Sequence, residues 1–165
     1  MRLIEGQTET EGMAGKRTRE MSMADEAYKD ACKVADALAA AIAARDADAI
    51  RAIYADDIGV WHAATAQTQN KAENSGLLAA LFQITSRLSY DEVRRHPIAG
   101  GLVEQHVLNG EFSDGTPMPS LHVSIFIYVK DGLITRIEEY FNSATFDEVW
   151  ARMAAHGEAA DAASA

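Results

Sequence analysis

The sequence predicts an α+β fold in which a cone-shaped, curved antiparallel or mixed sheet packs on N-terminal helices and a C-terminal helix closes the chain. Helical periodicity is found before residue 85 and again after residue 144, whereas residues 90–141 follow strand patterns joined by short turns. Helices grouped before strands are typical of an α+β roll, because a curved sheet must cover its inner face with those helices.

Composition limits the class of protein. With 165 residues, of which 48% are hydrophobic, the chain can build one domain with a substantial core. A formal net charge of -10 opposes binding to nucleic acid. The longest apolar stretches are strand-sized or interrupted by charge, so neither a membrane span nor a signal peptide is predicted. The single cysteine, Cys32, excludes an internal disulfide framework and fits a cytoplasmic location.

The ends of the chain differ from its middle. Residues 1–23 are polar and lack periodicity, which predicts a flexible leader, and residues 155–165 are predicted to be a flexible tail. A single domain is therefore expected over residues 24–154.

Three helices are predicted before the main strands. The stretch "DEAYKDACKVADALAAAIAAR" is Ala-rich and amphipathic, and Cys32 belongs to its apolar stripe, which favours packing over chemistry. The stretch "DADAIRAIYADD" is a shorter helix that Asp46 would cap and that carries Tyr54 on its apolar side. A short strand, "IGVWH", follows. In "NKAENSGLLAALFQI", Asn70 and Glu73 form a capping box ahead of a stripe that includes Phe82.

Strands then follow one another as "YDEVRRHPI", "LVEQHVLNGEF", "LHVSIFIYV" and "LITRIEEYF", separated by Gly100 and Gly101 and by the turns "SDGTPMP" and "KDG". Short connections predict an antiparallel meander. A last helix is predicted to start with a second capping box formed by Thr145 and Glu148.

This order of elements, with "YADD" after the second helix, "VWH" on the next strand and "VKDGLITRIEEYF" as the last hairpin, resembles the nuclear transport factor two-like superfamily over residues 25–154. That superfamily includes ketosteroid isomerases, SnoaL-type polyketide cyclases, scytalone dehydratase and limonene epoxide hydrolase, as well as proteins that are not enzymes. The resemblance implies a closed pocket inside the cone, a small hydrophobic substrate, and a homodimer formed through the outer sheet face.

The resemblance also places individual residues. The acid of limonene epoxide hydrolase on the last strand falls on Glu139, and the arginine and aspartate of the preceding strand are replaced by Glu104 and His106. The general base of ketosteroid isomerases falls on His62, whereas their oxyanion-binding positions correspond to Leu38 and a residue near Ile125.

An acid on the last strand has an unusual setting. Alternation puts Glu139 between Ile137 and Phe141 on an otherwise apolar face, where ionisation is penalised unless a partner compensates for it. A histidine in reach of this carboxylate could move a proton near neutral pH without metal or cofactor, which is typically worth about a hundredfold to ten-thousandfold in rate. The predicted catalytic residues are His106, Glu139, His62 and Tyr54, and the predicted substrate-binding residues are Trp61, Phe82, His122, Phe126 and Phe141.

Several orientations remain open at this level. His106 faces the pocket only if Val103 and Val107 do not claim the inner face, and Trp61 and His62, as neighbours on a strand, must point to opposite faces. The same question applies to His122 and Phe126. The alternative for Glu139 is a structural role in which it bonds to a backbone amide or to Arg136. No HxH or HxxxH spacing is present, and no metal site is predicted.

These residues predict a cofactor-independent acid–base enzyme, preferably a lyase that dehydrates or cleaves a small aromatic or cyclic hydroxylated compound. In this hypothesis His106 is the base or acid and Glu139 orients it, while Tyr54 or His62 donates to the developing oxygen charge. The alternatives are an isomerase or epoxide hydrolase, or a non-catalytic module that binds a small molecule or another protein. An enclosed pocket with His and Glu in contact would favour the enzyme.

Overall fold

The computed structural model describes the backbone of residues 5–163 and the side chains of residues 16–162. Its helices are α1 (Glu5–Ala44), α2 (Ala47–Ile53), α3 (Lys71–Ile84) and α4 (Asp147–Ala163), with a 3-10 turn at Ser143–Phe146. Its strands are β1 (Tyr54–His62), β2 (Gln67–Gln69), β3 (Thr85–Ile98), β4 (Gly101–Phe112), β5 (Leu121–Lys130) and β6 (Leu133–Phe141).

The six described strands form one curved sheet in the order β2-β1-β6-β5-β4-β3. Strands β3 to β6 are the predicted antiparallel meander, and β1 pairs with β6 in parallel, which makes the sheet mixed. The turn between β5 and β6 is the predicted "KDG". There Asp131 and Gly132 have φ values of 53° and 76°, which suit the tight two-residue turns that join antiparallel strands. The predicted α+β fold is confirmed.

Helix ends follow the sequence signals in two of three cases. Asp46 accepts hydrogen bonds from the amides of residues 48 and 49, and Asn70 and Glu73 form the predicted capping box. The capping box predicted at Thr145 and Glu148 is wrong. Thr145 lies inside the 3-10 turn, and the side chain of Asn142 caps that turn by accepting from the amide of residue 144.

Element boundaries differ from the predicted ones at both ends of the chain, at Tyr54, and at β3, which starts at Thr85 instead of Tyr90. Helix α1 extends back to Glu5, so most of the predicted leader is helical, and residues 16–27 are exposed on all sides; residues 1–4 lie outside the described part. Helix α4 continues to Ala163 through most of the predicted tail. Tyr54 begins β1 instead of ending α2, because it pairs with Ile134 of β6 and its side chain is buried there. The flexibility of the leader and tail stays a prediction.

The inner face of the sheet packs on α1 and α3, and α4 packs on α3. Helix α1 contributes the predicted stripe: Ala35, Leu38 and Ile42 are buried, and Tyr28 and Cys32 pack partly buried against the core. The inward positions of β5 are the apolar residues Leu121, Val123, Ile125 and Ile127, and the inward positions of β4 and β6 are in register with them. No helix in the described part of the chain is long and apolar enough to cross a membrane.

One cross-strand row of the inner face is polar. Pairing between adjacent strands puts His62 beside Glu139, Glu139 beside Ile125, Ile125 beside Glu104 and Glu104 beside Arg95. The row therefore carries ionisable side chains on both sides of a single isoleucine. The two halves of this row form separate ion pairs, His62 with Glu139 and Arg95 with Glu104.

Candidate active site

A cavity of about 120 Å³ lies between the inner face of the sheet, α3 and the start of α4. Its walls are mostly aliphatic and aromatic, and buried side chains such as Leu38, Leu121 and Ile125 close its inner part. The exposed residues Ala64 and Thr65, from the turn after β1, lie at its outer part. The polar or titratable side chains that line it are Tyr54, His62, Thr65, Gln69, Asn74, Tyr90 and Glu139.

Glu139 and His62 form the central pair of this cavity. The Nδ1 atom of His62 lies 2.8 Å from Oε2 of Glu139, and both side chains are largely buried, with 12% and 22% of their surface exposed. Within the described part of the chain no hydrogen bond to the other carboxylate oxygen, Oε1, is found, and Glu139 lines the cavity. One oxygen of Glu139 is thus fixed by the histidine, and the other is free to accept a proton.

A set of amide groups fixes the protonation of the histidine ring. Nε2 of His62 lies 3.1 Å from Oε1 of Gln69, which also accepts from Nδ2 of Asn74 at 2.9 Å. Tyr54 in turn donates its hydroxyl to Oδ1 of Asn74 at 3.0 Å. Because an amide oxygen can only accept, the closer contact puts a hydrogen on Nε2 of His62, and Nδ2 of Asn74, which lies 3.4 Å from Nε2, donates to Gln69 instead. The remaining proton is shared between Nδ1 and Glu139, and Nε2 is not free to act as a base.

The surroundings raise the pKa of His62. Burial by itself lowers that pKa, but the hydrogen bond with Glu139, the negative charge of Glu139 and the hydrogen bond with Gln69 together outweigh it. The imidazolium form is therefore favoured more than in water. Its positive charge provides the compensation that a carboxylate in an apolar cavity requires.

This raised pKa predicts a pH-dependent contribution to stability. A raised folded-state pKa means that the His62–Glu139 pair stabilises fully below the ordinary value of 6.5, and that this contribution is lost as the pH rises through the folded value. Urea unfolding of the wild type and of His62→Gln should differ more at about pH 6 than at about pH 9. A difference that is the same at both values would contradict the assignment.

Tyr90, on β3, supplies a hydroxyl donor to the same cavity. Among the described residues no hydrogen-bond partner of this hydroxyl is found. Burial, and then the charges of Glu139 and Glu104, raise the pKa of Tyr90 well above its ordinary value, so the phenol stays protonated. A protonated phenol in an apolar cavity is a suitable donor to an oxygen that gains negative charge.

One face of the Tyr90 ring stacks on a buried cluster of charged and polar side chains. It stacks on His106 with ring centroids 3.7 Å apart and planes inclined by 12°. Nδ1 of His106 lies 2.8 Å from Glu104, whose second oxygen accepts from Nε of Arg95 at 2.6 Å. Arg95 also contacts Asp36 of α1 at 2.6 Å. Glu104 is 1% exposed and His106 is 4% exposed, so the cluster is part of the core.

The predicted pairing of His106 with Glu139 is therefore wrong. His106 faces inward, which is one of the two orientations that the sequence leaves open. Its hydrogen-bonding partner, however, is Glu104, two residues earlier on the same strand. The cavity that Glu139 lines is lined by His62 instead, which settles the choice between Trp61 and His62, whereas His106 and His122 line a second pocket of about 390 Å³. The histidine that reaches Glu139 is the one on the parallel strand beside it.

The predicted substrate-binding residues divide between three places. Phe141 lines the cavity, as predicted, and Phe82 is buried in the core without lining it. Trp61 and Phe126 lie on the outer face of the sheet, where their rings contact Tyr140 with centroid distances of 5.3 Å and 5.9 Å. The exposed His122 also belongs to the outer face. The prediction that Phe82, Trp61, Phe126 and His122 line the pocket does not hold, because the apolar side of β5 is the inward one.

Most of the residues that line the cavity were not predicted as site residues, and Asn74, Tyr90, Gln69 and Trp150 are among them. Asn74 lies on the same helical stripe as Leu77, Leu78 and Leu81, and a polar residue in that stripe was a readable signal. Tyr90 faces inward on β3, but the sequence pattern of that strand does not show which of its two faces is the inner one. Gln69 is on a three-residue strand with no apolar pattern, and Trp150 lies on the last helix, for which the sequence predicts no site residue.

Metal binding has no support in these contacts. In the described part of the chain, no group of three or more His, Cys, Asp or Glu side chains is arranged to hold a metal ion. The two carboxylate–histidine pairs, Glu139 with His62 and Glu104 with His106, are separate. The groups present can accept, donate and share protons.

Similarities to known proteins cover most of the domain. A family model described as SnoaL-like domain matches residues 35–137. A candidate polyketide cyclase from Pseudomonas putida is similar in structure with a TM-score of 0.61 and 20% identity, over 72% of this chain and 96% of its own. A candidate isomerase from Bacillus subtilis has a TM-score of 0.64 and 15% identity, over 74% and 94%.

An LEH-like epoxide hydrolase from M. tuberculosis has a TM-score of 0.57 and 16% identity, over 78% of this chain and 94% of its own. At these identities the likeness concerns the fold. No curated protein matches the sequence.

Proposed function

The chain belongs to the SnoaL-like domain family, and on that premise we propose that it is a cofactor-independent acid–base lyase that dehydrates a small, apolar hydroxy-carbonyl compound. The fold is shared by candidate isomerases, candidate cyclases and an epoxide hydrolase, so it supports an enzyme without selecting the reaction. The choice of reaction rests on the side chains of the cavity.

One observation carries the proposal. Glu139 is bonded to His62 through one carboxylate oxygen and keeps the other free at the cavity, which Tyr90 lines with an unbonded hydroxyl. A base and a donor are thus available in an apolar enclosure. A non-catalytic module needs no such pair, and a filled cavity would have favoured that alternative.

In the proposed reaction, Oε1 of Glu139 removes a proton from the carbon next to the substrate carbonyl. The carbonyl oxygen gains negative charge, and the hydroxyl of Tyr90 stabilises it by donating a hydrogen bond. The carbon–oxygen bond to the neighbouring hydroxyl group then breaks, a carbon–carbon double bond forms, and Glu139 returns its proton to the departing oxygen as water. His62 holds Glu139 in place through the contact of 2.8 Å between Nδ1 and Oε2.

The same groups would serve a retro-aldol cleavage, in which Glu139 takes the proton of the hydroxyl, a carbon–oxygen double bond forms as the carbon–carbon bond breaks, Tyr90 donates to the enolate oxygen, and Glu139 returns the proton to the enolate carbon. Epoxide opening is less well supported. Glu139 is the carboxylate that lines the cavity in the described part of the chain, and Glu104 is occupied by Arg95 and His106. A second acid to activate the epoxide is therefore not in place.

Removal of the Tyr90 hydroxyl tests the donor. We expect Tyr90→Phe to lower kcat by about a hundredfold to a thousandfold with little change in KM, because the bond strengthens only as the oxygen gains charge. The measurement is a screen of small cyclic hydroxy ketones for loss of water, followed by kinetics on the hits. Tyr140→Phe, on the outer face, is the matched control and should leave kcat unchanged. Equal rates for wild type and Tyr90→Phe would exclude the donor role.

A further inference from the structure

We infer that the cavity accepts an uncharged molecule of single-ring size, with one oxygen function directed to Tyr90, and excludes fused-ring and charged compounds. This inference rests on the proposed function for the use of the site, and it adds the class of substrate. It is carried by three properties of the cavity: its volume, the rigidity of its inner walls and the charge of its lining.

The volume sets the size of the ligand. At about 120 Å³ the cavity is somewhat smaller than an engineered apolar cavity of about 150 Å³ that holds benzene. It is also far below the volume of about 300–1,000 Å³ that is typical of pockets for drug-sized ligands. One six-membered ring with a small substituent fills the available space. A fused second ring adds several carbon atoms for which the enclosure has no room.

The inner walls cannot easily move to make that room. Leu38, Leu121 and Ile125 are each less than 5% exposed and belong to the core formed by α1 and the sheet. Because such interiors are close-packed, displacement of these side chains strains their neighbours. Expansion is easier towards α4, where Trp150 is only partly buried and packs edge-on against Phe146 at a centroid distance of 5.0 Å. The size limit is therefore set on one side by Trp150.

The lining also selects against charge. No Lys or Arg side chain is among the residues that line the cavity, so an anionic ligand would find no cation except the His62 ring that Glu139 already engages. It would also lie close to the carboxylate of Glu139, and two anions in an apolar site repel strongly. A cationic ligand could reach the free oxygen of Glu139, but it would lie beside the positively charged His62 ring and would lose its hydration in an apolar cavity. A neutral carbonyl or hydroxyl group needs only a donor, which Tyr90 provides.

Three matched pairs of probes test the inference by isothermal titration calorimetry. The pairs are cyclohexanone with 2-decalone for size, benzamide with benzoate for negative charge, and benzyl alcohol with benzylamine for positive charge. We expect the first member of each pair to bind at least about tenfold more tightly than the second. Equal or reversed affinity within the size pair overturns the size limit, and the same result in either charge pair overturns the selection against charge. Absence of saturable binding by every single-ring probe overturns the inference as a whole.

Two variants connect the selectivity to the residues named. Trp150→Leu should bring the affinity for 2-decalone close to that for cyclohexanone, and Glu139→Gln should reduce the discrimination against benzoate. Trp61→Leu, on the outer face, should leave both ratios unchanged. If Trp150→Leu left the affinity ratio of the size pair unchanged, Trp150 would not set the size limit. If Glu139→Gln left the ratio of benzamide to benzoate unchanged, Glu139 would not cause the selection against negative charge. Because these assays measure binding without turnover, their failure would leave the proposed dehydration to be judged by the kinetics of Tyr90→Phe.

Discussion

A Glu139→Gln variant is expected to fold normally and to lose about a hundredfold to ten-thousandfold of kcat/KM. The amide has the shape of the carboxylate, and its oxygen can still accept the hydrogen bond from Nδ1 of His62, which is 2.8 Å away in the wild type. It cannot take a proton from a carbon atom. The measurement is kcat/KM for the compound found in the hydroxy-ketone screen, together with the urea unfolding midpoint to confirm that the fold is intact.

The neighbouring acid provides the control for this variant. Glu138 lies on the outer face of β6, where it accepts a hydrogen bond from Arg136 at 2.7 Å. Glu138→Gln removes the same charge one residue away, on the opposite side of the sheet, and should leave kcat/KM unchanged. If Glu139→Gln kept full activity, or if both variants lost activity equally, Glu139 would not be the base.

The architecture was largely readable from the sequence because its signals are local. The strand alternation from residue 90 to residue 141 and the capping box at Asn70 and Glu73 depend on residues a few positions apart, and both are found in the structure. The end of α2 was not readable. Helical spacing includes Tyr54, but its pairing with Ile134, eighty residues later, places it on β1.

The site was predicted in part for the same reason. Alternation correctly put Glu139 on the inner face, but its partner depends on the parallel pairing of β1 with β6, which puts His62 directly beside it. No local pattern indicates that pairing. His106 could have been matched with Glu104 from the sequence, because residues two apart on a strand share a face. Arg95, which completes that cluster, comes into register only after the irregularity in β3 between residues 91 and 94.

The outer face shows how composition can mislead. Trp61, Phe126 and His122 are the kinds of residue that line substrate pockets, and the structure places them on the side of the sheet away from the cavity. The inward side of β5 is purely aliphatic. An inner face packed against helices favours branched aliphatic side chains, whereas large amphipathic rings tolerate partial exposure. The chemistry of the cavity is therefore concentrated on β1, β3 and β6.

The buried acid of β4 leads to the largest expected effect on stability. Glu104→Leu should lower the free energy of unfolding by about 3–5 kcal/mol, because it leaves the Nδ1 hydrogen of His106 and part of the Arg95 guanidinium without a partner inside the core. Such a loss is a large share of the roughly 5–15 kcal/mol that stabilises a typical domain. Urea unfolding followed by far-ultraviolet circular dichroism measures it. A cost below about 1 kcal/mol, as for exposed ion pairs, would contradict the buried arrangement.

The cause of this loss can be separated from the loss of packing. If unpaired polar groups are responsible, replacing all three members with apolar residues, as Arg95→Met, Glu104→Leu and His106→Phe together, should restore most of the stability, because no buried charge then remains without a partner. Phenylalanine at position 106 can still stack on Tyr90, so the cavity keeps its donor in place. If the triple variant were as unstable as Glu104→Leu alone, the cluster would stabilise the fold through its shape and not through its charge pairing.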